Sequence, residues 1–242
     1  CWRAGADRLF VKTAPADRAP LFAAEAAGLR ELAGAEALRV PAVIGHGVAG
    51  ATAWLALEWI EFAAPGPRTE SMLGEALAAL HRVRAPAFGW SADNYIGRTP
   101  QANGWCTDGV QFLRERRLRP QLALVDVSDP LGARLVERGA RLLEALGVFY
   151  TSYRPAPSLL HGDLWGGNWG AMPDGVPVVF DPAPYFGDRE ADLAMTRLFG
   201  GFGRRFHAAY QSAWALDAAA GYRRELHNLY HVLTHLHLFG GA

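Results

Sequence analysis

The stretch from Leu159 to Ala183 holds the side chains best suited to chemistry. Asp163 comes first, Asn168 follows five residues later, and Asp181 ends an apolar run. In kinases an Asp in a loop acts as the base, an Asn after four intervening residues binds a metal ion, and a second Asp also binds the metal. Carboxylate and amide oxygens are hard ligands that suit magnesium. The order and spacing therefore predict phosphoryl transfer to a hydroxyl group.

Turn formation is the competing interpretation of these residues, because Asp and Asn are common in loops. The triplet HGD at residues 161–163 would not exclude that interpretation by itself. The combination of HGD, an Asn at the kinase offset and a strand-end Asp followed by Pro favours a catalytic site over a simple turn.

Lys12 is the only lysine among 24 basic residues, and all the others are arginine. It ends a short strand pattern at residues 8–12, and Glu25 lies early in the helix predicted after that strand. Kinases use a strand Lys and a helix Glu to hold the α and β phosphates. A compact ammonium can contact phosphate oxygens and a carboxylate together, whereas arginine imposes a planar fork. Glu31 and Glu36 lie nearby as alternatives to Glu25.

Composition limits the classes of protein that remain. With 242 residues, half of them hydrophobic, the chain can bury a full core in one large domain or two small lobes. Its net charge of zero excludes the broad basic surface of a nucleic-acid binder. Two cysteines are too few for a disulfide framework, and no apolar run is long enough to span a membrane. We therefore expect a cytoplasmic protein without nucleic-acid or membrane partners.

The candidate residues lie in two regions of different character, one rich in strand patterns and one mainly helical. This division predicts an α+β fold with two lobes. Residues 1–62 form a strand-rich N-lobe: a hairpin of 1–4 with 8–12, a helix within 21–34, and two strands within 39–62. Residues 63–242 form a mainly helical C-lobe, in which only 159–181 returns to strand and turn character. Helices are predicted at 70–84, 107–119, 129–147, 204–217 and 222–239.

Several longer motifs resemble one family, the fructosamine-3-kinases and ketosamine-3-kinases, which are relatives of the aminoglycoside and choline kinases. The motifs are LLHGDLWGGN at 159–168, FDPAPYFGDREADLAM at 180–195, LFGGF at 198–202, FGW at 88–90 and GRTPQANGW at 97–105. The resemblance implies a protein-kinase-like bilobal fold that uses ATP and Mg²⁺. It also implies phosphorylation of the third-carbon hydroxyl of a ketoamine, the adduct formed when a sugar glycates an amine.

The implied product is unstable and sheds its sugar, so the resemblance implies deglycation. The implied substrates are glycated small amines or glycated proteins, with ribulosamines and erythrulosamines preferred over fructosamines. Two alternatives stay open: a kinase for another small alcohol, such as an aminoglycoside or choline, and a nucleotide-binding pseudokinase. The second arises because the Gly-rich phosphate loop is expected before the strand of Lys12, and the run GHGVAG at 45–50 reads as a hairpin turn instead.

The resemblance also implies a role for individual residues. Asp163 is the base, Asn168 and Asp181 bind magnesium, and Lys12 with Glu25 holds the phosphates. The remaining implied site residues are the adenine hinge Leu57, Glu58 and Trp59, the sugar platform Trp165, and the substrate-covering loop residues Asn94, Gln101, Asn103 and Trp105.

Four further residues are expected to have structural roles. We expect Asp192 to brace the catalytic loop, His161 to hold that loop by a hydrogen bond, and His81 to pack beneath it. Gly109 stands where the family carries a bulky aromatic residue, which predicts looser packing there. The histidines spaced by four residues at 227, 231 and 235 are expected to pack within the C-lobe rather than to bind a metal.

Overall fold

The computed structural model describes residues 2–4 and 7–240. The first region forms a four-stranded antiparallel sheet with one helix. Its elements are β1 (Trp2–Ala4), β2 (Asp7–Pro15), α1 (Ala19–Gly34), β3 (Val43–Ala49) and β4 (Thr52–Glu58), with the strands in the order β1-β2-β4-β3. The predicted helix and two later strands are confirmed, and so is the pairing of the hairpin strands over residues 2–4 and 7–9. Residue 1 and the hairpin residues 5 and 6 lie outside the described residues.

Strand β2 places Lys12 in the middle of the sheet. Lys12 pairs with Leu55 of β4, and Leu9 pairs with Glu58 at the far end of the same ladder. Helix α1 packs against β3 and β4 through buried residues at helical spacing, among them Phe22 and Leu29. The sheet therefore fixes where the ammonium of Lys12 lies, and α1 is held beside it.

Helices dominate the rest of the chain, as predicted. They are α2 (Pro67–Leu80), α3 (Gly109–Phe112), α4 (Arg119–Ala123), α5 (Pro130–Ala145), α6 (Glu190–Leu198), α7 (Arg204–Ala213) and α8 (Ala220–Phe239). Short strands lie between them: β5 (Asn94–Ile96), β6 (Thr99–Gln101), β7 (Ser158–Leu160), β8 (Trp169–Ala171), β9 (Pro177–Val179) and β10 (Tyr185–Gly187). The lobe boundary between residues 62 and 63 stays a prediction.

Three secondary-structure predictions were wrong in detail. The helix expected over 107–119 is interrupted by a π-helical turn at Leu113–Leu118. The helix expected over 204–217 ends at Ala213, because Trp214 takes an extended conformation. The expectation that only 159–181 returns to strand character was also wrong, because β5 pairs with β6 and β10 lies at residues 185–187. Gly97, with φ of 58°, is the residue type that the two-residue turn between β5 and β6 requires.

The small sheets of the second region carry the HGD motif and lead to Asp181. Strand β7 pairs with β10, and β8 pairs with β9. The chain leaves β7 directly into HGD and leaves β9 directly toward Asp181. Around these strands α2 packs against α7, and α6 packs against α8. Among the described helices, none has both the length and the apolar character that crossing a bilayer requires.

Candidate active site

Asp192 of α6 holds the loop that follows β7. Its carboxylate accepts hydrogen bonds from the backbone N–H of His161, at 2.7 Å, and of Gly162, at 2.9 Å. The same carboxylate lies 3.2 Å from Nε2 of buried His81. Burial disfavours the Asp192 carboxylate, but these hydrogen bonds and the His81 ring outweigh burial and lower its pKa below the usual value. The expected bracing role of Asp192 is confirmed, and so is the position of His81.

The loop conformation depends on Gly162 and His161. Gly162 has φ of 82°, and a Cβ added there would collide with the carbonyl of Ala183. Nε2 of buried His161 lies 3.1 Å from the carbonyl oxygen of Phe180, and its Nδ1 accepts the N–H of Asp163 at 3.3 Å. Burial lowers the pKa of His161, which favours the neutral ring. His161 is therefore structural, as expected.

Asp163 and Asn168 lie in direct contact at the end of this loop. Nδ2 of Asn168 donates to the Asp163 carbonyl at 2.8 Å and to Asp163 Oδ2 at 3.2 Å. Because both acceptors are oxygens, the amide orientation is settled, and Oδ1 of Asn168 is the atom left to bind a cation. Burial raises the pKa of Asp163 to about 7.

Lys12 bridges two carboxylates from different parts of the chain. Its Nζ lies 2.7 Å from Oε1 of Glu25 and 2.6 Å from Oδ1 of Asp181. Burial by itself would lower the pKa of Lys12, but the two carboxylates raise it above its usual value. The structure therefore pairs Lys12 with Glu25, and does so in preference to the alternatives Glu31 and Glu36.

Asp181 is held in an unusual backbone conformation. Its φ is 56°, in the left-handed region that non-glycine residues rarely adopt. The neighbouring N–H of Phe180 donates to the carbonyl of Asn168 at 3.0 Å, which ties the start of this turn to the catalytic loop. Strain of this kind persists where surrounding structure fixes it, and it concentrates at functional sites. Asp181 is thereby presented beside Asn168, and their oxygens form a donor set that fits magnesium.

A cavity of about 570 Å³ lies between the sheet and Asp181. Its walls are largely apolar, with Leu57, Ile60 and Phe62 on one side and Phe180 on the other, and Lys12 and Asp181 also line it. The rings of Phe62 and Phe180 are 5.6 Å apart. An apolar slot with an ammonium and a carboxylate among its lining residues suits a flat base attached to phosphates.

The structure places the predicted hinge residues Leu57, Glu58 and Trp59 on this cavity. The side chain of Glu58, however, is engaged elsewhere: its carboxylate pairs with Arg39 and accepts the N–H of Ala42 at 3.0 Å. Glu58 therefore anchors the end of β4, and its carboxylate is not free for a ligand.

A second cavity, of about 360 Å³, adjoins the first. Lys12 and Asp181 line both cavities, whereas Asp163, Asn168 and Trp165 line the second but not the first. A group transferred from a ligand in the first cavity to a ligand in the second would thus pass Lys12 and Asp181 and meet Asp163. Trp165 lines this cavity and is 40% exposed.

The expected substrate-covering loop is instead a buried network. Gln101 and Asn103 are 1% and 0% exposed. Asn94 Oδ1 accepts from Gln101 at 2.8 Å and from Asn103 at 2.7 Å, while its Nδ2 donates to the Pro184 carbonyl at 2.9 Å. The amides satisfy one another and nearby carbonyls, so direct substrate contact by Gln101 and Asn103 was a wrong expectation. Asn94 lines the second cavity, but its amide belongs to the network.

Sequence reasoning also missed Arg117, which completes this network. It is 1% exposed, stacks 3.9 Å from the ring centre of Tyr185, and donates to Asn103 Oδ1 at 2.7 Å. No sequence signal marks it, because its partners are a ring and an amide. Trp105 is half-exposed against Phe186, with ring centres 6.2 Å apart, and does not line either described cavity.

Two further expectations can be compared with the structure. Gly109 does not loosen its surroundings, because Phe88 and Pro155 fill the space that a side chain would take.

His227 lies near Asp188 and Glu190 in an arrangement that could hold a metal ion. Both Glu190 oxygens, however, accept from Arg223 at 2.8 Å, so a buried cation already occupies the group.

Comparison with known proteins agrees with this geometry. The family model described as fructosamine kinase matches residues 1–242. A Synechocystis protein named "Probable ketoamine kinase" is 42% identical, over 100% of this chain and 81% of that protein. A solved Haemophilus somnus structure assigned as a fructosamine-3-kinase superposes with a TM-score of 0.86 at 27% identity, covering 96% of this chain and 77% of that chain.

A type VIII aminoglycoside-3'-phosphotransferase superposes with a TM-score of 0.57 at 22% identity, covering 94% of this chain and 87% of that chain. That likeness shows the protein-kinase-like fold, as the sequence predicted. The family match over the whole chain carries the assignment further, to a phosphotransferase that acts on a hydroxyl group. The chain belongs to the fructosamine kinase family.

Proposed function

We propose that this protein transfers the γ-phosphoryl group of ATP to the third-carbon hydroxyl of a ketoamine. The observation that carries the proposal is the meeting of two cavities at Lys12 and Asp181, with Asp163 on the acceptor side. The whole-chain family match and the name of the Synechocystis relative support ketoamines as the acceptor class.

The first cavity would hold the nucleotide. Its apolar walls suit adenine, and the ammonium of Lys12 would contact the phosphates while Glu25 keeps it in place. The oxygens of Asn168 and Asp181 would hold magnesium, which supplies charge neutralisation for the transferred group when bound. In this arrangement the ion pair between Lys12 and Asp181 would loosen when the nucleotide binds, because Lys12 would contact the phosphates and Asp181 the magnesium ion.

Asp163 would orient the acceptor hydroxyl and accept its proton. Its carboxylate is fixed by Asn168 Nδ2, and its pKa of about 7 makes it an effective proton acceptor near neutral pH. Asp192 would act indirectly, since it holds the loop that presents Asp163. Catalysis would then rest on positioning and charge, as expected for phosphoryl transfer.

The second cavity would hold the ketoamine. Trp165 can stack on the apolar face of a sugar while its N–H meets a hydroxyl group. Three carboxylates line this cavity, and two of them, Glu25 and Asp181, are paired with Lys12. Little negative charge is left for a polycation, so the geometry favours a ketoamine over an aminoglycoside.

The test is phosphate transfer from ATP to several acceptors in one assay. The acceptors are ribuloselysine, a ribulosylated peptide, fructoselysine, an aminoglycoside and choline. Phosphorus NMR should show phosphorylation at the third carbon of the ketoamines, followed by release of free amine and loss of the sugar. Comparison of the free amino acid with the peptide tells small-amine substrates from proteins.

Two results would count against the proposal. Transfer to the aminoglycoside or choline in preference to every ketoamine would place the enzyme in another substrate class. Magnesium-dependent ATP binding without transfer to any acceptor would indicate a pseudokinase.

A further inference from the structure

A group of arginines surrounds Trp214, outside the proposed active site. The guanidinium carbon of Arg189 lies 3.9 Å from the Trp214 ring centre, and those of Arg82 and Arg84 lie at 5.3 and 5.4 Å. Each is within reach of a cation–π contact. The ring thus gathers positive charge in a chain whose net charge is zero.

A cavity of about 200 Å³ opens beside this group. It is lined by Arg84, Arg154 and Arg189, together with Tyr153, Ser158 and Trp214. Three guanidinium groups and no carboxylate face it within the described part of the chain. Oδ1 of the nearby Asp188 carboxylate accepts hydrogen bonds from the Tyr153 hydroxyl, at 2.9 Å, and from the Glu190 N–H, at 3.0 Å, and its Oδ2 lies 3.5 Å from Nε2 of His227.

Hydrogen bonds within the protein hold one of the three arginines that line the cavity, Arg189, and the other two, Arg84 and Arg154, are exposed. Arg189 is buried and donates to the Trp214 carbonyl at 2.9 Å, to the Ala215 carbonyl at 2.7 Å and to the Tyr210 hydroxyl at 3.1 Å. Arg84 and Arg154 are exposed, and neither has a carboxylate within ion-pair distance among the side chains that the structure describes, residues 8–240. Their donors are free to bind an anion that enters the cavity.

Ser158 supplies an independent indication of a ligand. Its side chain is 1% exposed, and its Oγ has no hydrogen-bond partner among the described residues. Buried hydroxyl groups nearly always have a partner, because losing contact with water without replacement is costly. Ser158 is also one of the residues that line the arginine-rich cavity, and a hydroxyl without a partner has the chemistry to bind an oxyanion there.

We propose that this cavity binds a phosphate-type oxyanion. Arg84 and Arg154 would make charge-assisted hydrogen bonds to its oxygens, Arg189 would add fixed positive charge, and Ser158 Oγ would donate to it. The volume of about 200 Å³ suits a phosphate or a small phosphate monoester and is well below that of the nucleotide cavity. The proposal is independent of the proposed kinase activity.

The first test is calorimetric titration with inorganic phosphate at constant ionic strength, set with potassium chloride. The double variant Arg84→Ala/Arg154→Ala should weaken phosphate binding at least about tenfold, since it removes both free charged donors. The control is Arg141→Ala, an exposed arginine of α5 that pairs with Glu137. It should leave binding unchanged within about twofold.

Phosphate can also bind at Lys12, so each titration is repeated with Lys12→Ala. Binding that belongs to the arginine cavity should survive this substitution. If Lys12→Ala abolishes all phosphate binding, or if the double variant binds phosphate as tightly as the wild type, the proposal is wrong. A parallel titration with ribose 5-phosphate identifies the source: tighter binding than phosphate indicates a monoester, and weaker binding indicates the free ion.

Ser158→Ala provides the second test, because it removes a single oxygen from the site. In phosphate-free buffer the variant should melt at the same temperature as the wild type or slightly higher, since a buried hydroxyl without a partner is removed. In phosphate the wild type should gain thermal stability, and the variant should gain less. An equal gain in both proteins would exclude Ser158 from the site.

Discussion

Lys12 Nζ and Asp181 Oδ1 are 2.6 Å apart, and their ion pair joins strand β2 to the turn after β9. Both residues also line the two cavities of the site. The ammonium expected to hold phosphates and the carboxylate expected to hold magnesium are therefore within one hydrogen bond of each other. A substitution at either residue acts on both parts of the site.

Lys12→Arg tests whether a compact ammonium is required. The substitution keeps the charge, but the planar fork should displace Glu25 or Asp181. We expect kcat/KM to fall by about 10²-fold, as when one preorganised electrostatic contact is lost. Steady-state kinetics checks this, with circular dichroism as the control for folding. Near-normal activity would mean that the single lysine has no special role.

Asp163→Asn tests the proposed base. An amide cannot accept the proton, so kcat should fall by about 10²- to 10⁴-fold, while the nucleotide Kd changes by less than about threefold. Single-turnover kinetics and a nucleotide titration measure the two effects. Asp17→Asn is the matched control, because Asp17 is exposed before α1 and should have no effect. Transfer at the wild-type rate would contradict the base assignment.

Gly162→Ala should prevent the catalytic loop from forming. The new Cβ would meet the Ala183 carbonyl, and φ of 82° is unfavourable for alanine. We expect a loss of more than about 3 kcal/mol in the free energy of unfolding, measured by urea titration. The control is Gly175→Ala: φ is 86°, but the nearest atom is 3.7 Å away. This variant should lose only about 1–2 kcal/mol in the free energy of unfolding, because alanine is strained in a left-handed backbone conformation. Equal losses would show that the close approach does not matter.

Asp192→Asn should lower stability most at neutral pH. The wild-type carboxylate has a pKa below its unfolded value, so its contribution is present above pH about 4 and disappears as the pH falls through the folded pKa. An amide can accept fewer of the loop N–H groups, and we expect a loss of about 2 kcal/mol at pH 7. The difference between the two proteins in urea titrations should shrink toward pH 3. A difference that grows as the solution is acidified would be inconsistent with the lowered pKa.

Asn103→Ala and Trp165→Ala should separate positioning from substrate contact. Asn103 is fully buried in the amide network, so its removal should cost about 2–3 kcal/mol of stability and change KM for the acceptor little. Trp165 is partly exposed on the second cavity, so its removal should raise KM about tenfold or more with little loss of stability. A large rise in KM for Asn103→Ala with little loss of stability would instead indicate that Asn103 contacts the substrate.

The sequence predicted the local features of this fold well, because short spacings encode them. The strand of Lys12, the helix of Glu25 and the order of Asp163, Asn168 and Asp181 all follow from periodicity and offsets along the chain. Contacts formed between distant segments could not be predicted in the same way. That Lys12 reaches Asp181, 169 positions away, became clear only in three dimensions.

Polar residues caused the main errors. Asn94, Gln101 and Asn103 have the composition of an exposed loop, yet each amide finds its partners inside the protein. Whether an amide faces water or another amide depends on packing, which composition does not reveal. Arg117 was overlooked for a related reason, since its partners are a ring and an amide rather than an acidic residue spaced along a helix.

The ion pairs of Lys12 also determine how this protein itself reacts with sugars. Reducing sugars condense with neutral amines, because only an unprotonated nitrogen has the electron pair that attacks a carbonyl. The only lysine side chain of the chain lies between two carboxylates that raise its pKa, so it remains an ammonium ion at neutral pH. Every other basic side chain apart from histidine is a guanidinium group. The composition and the site together leave these 242 residues with no readily glycated ε-amine.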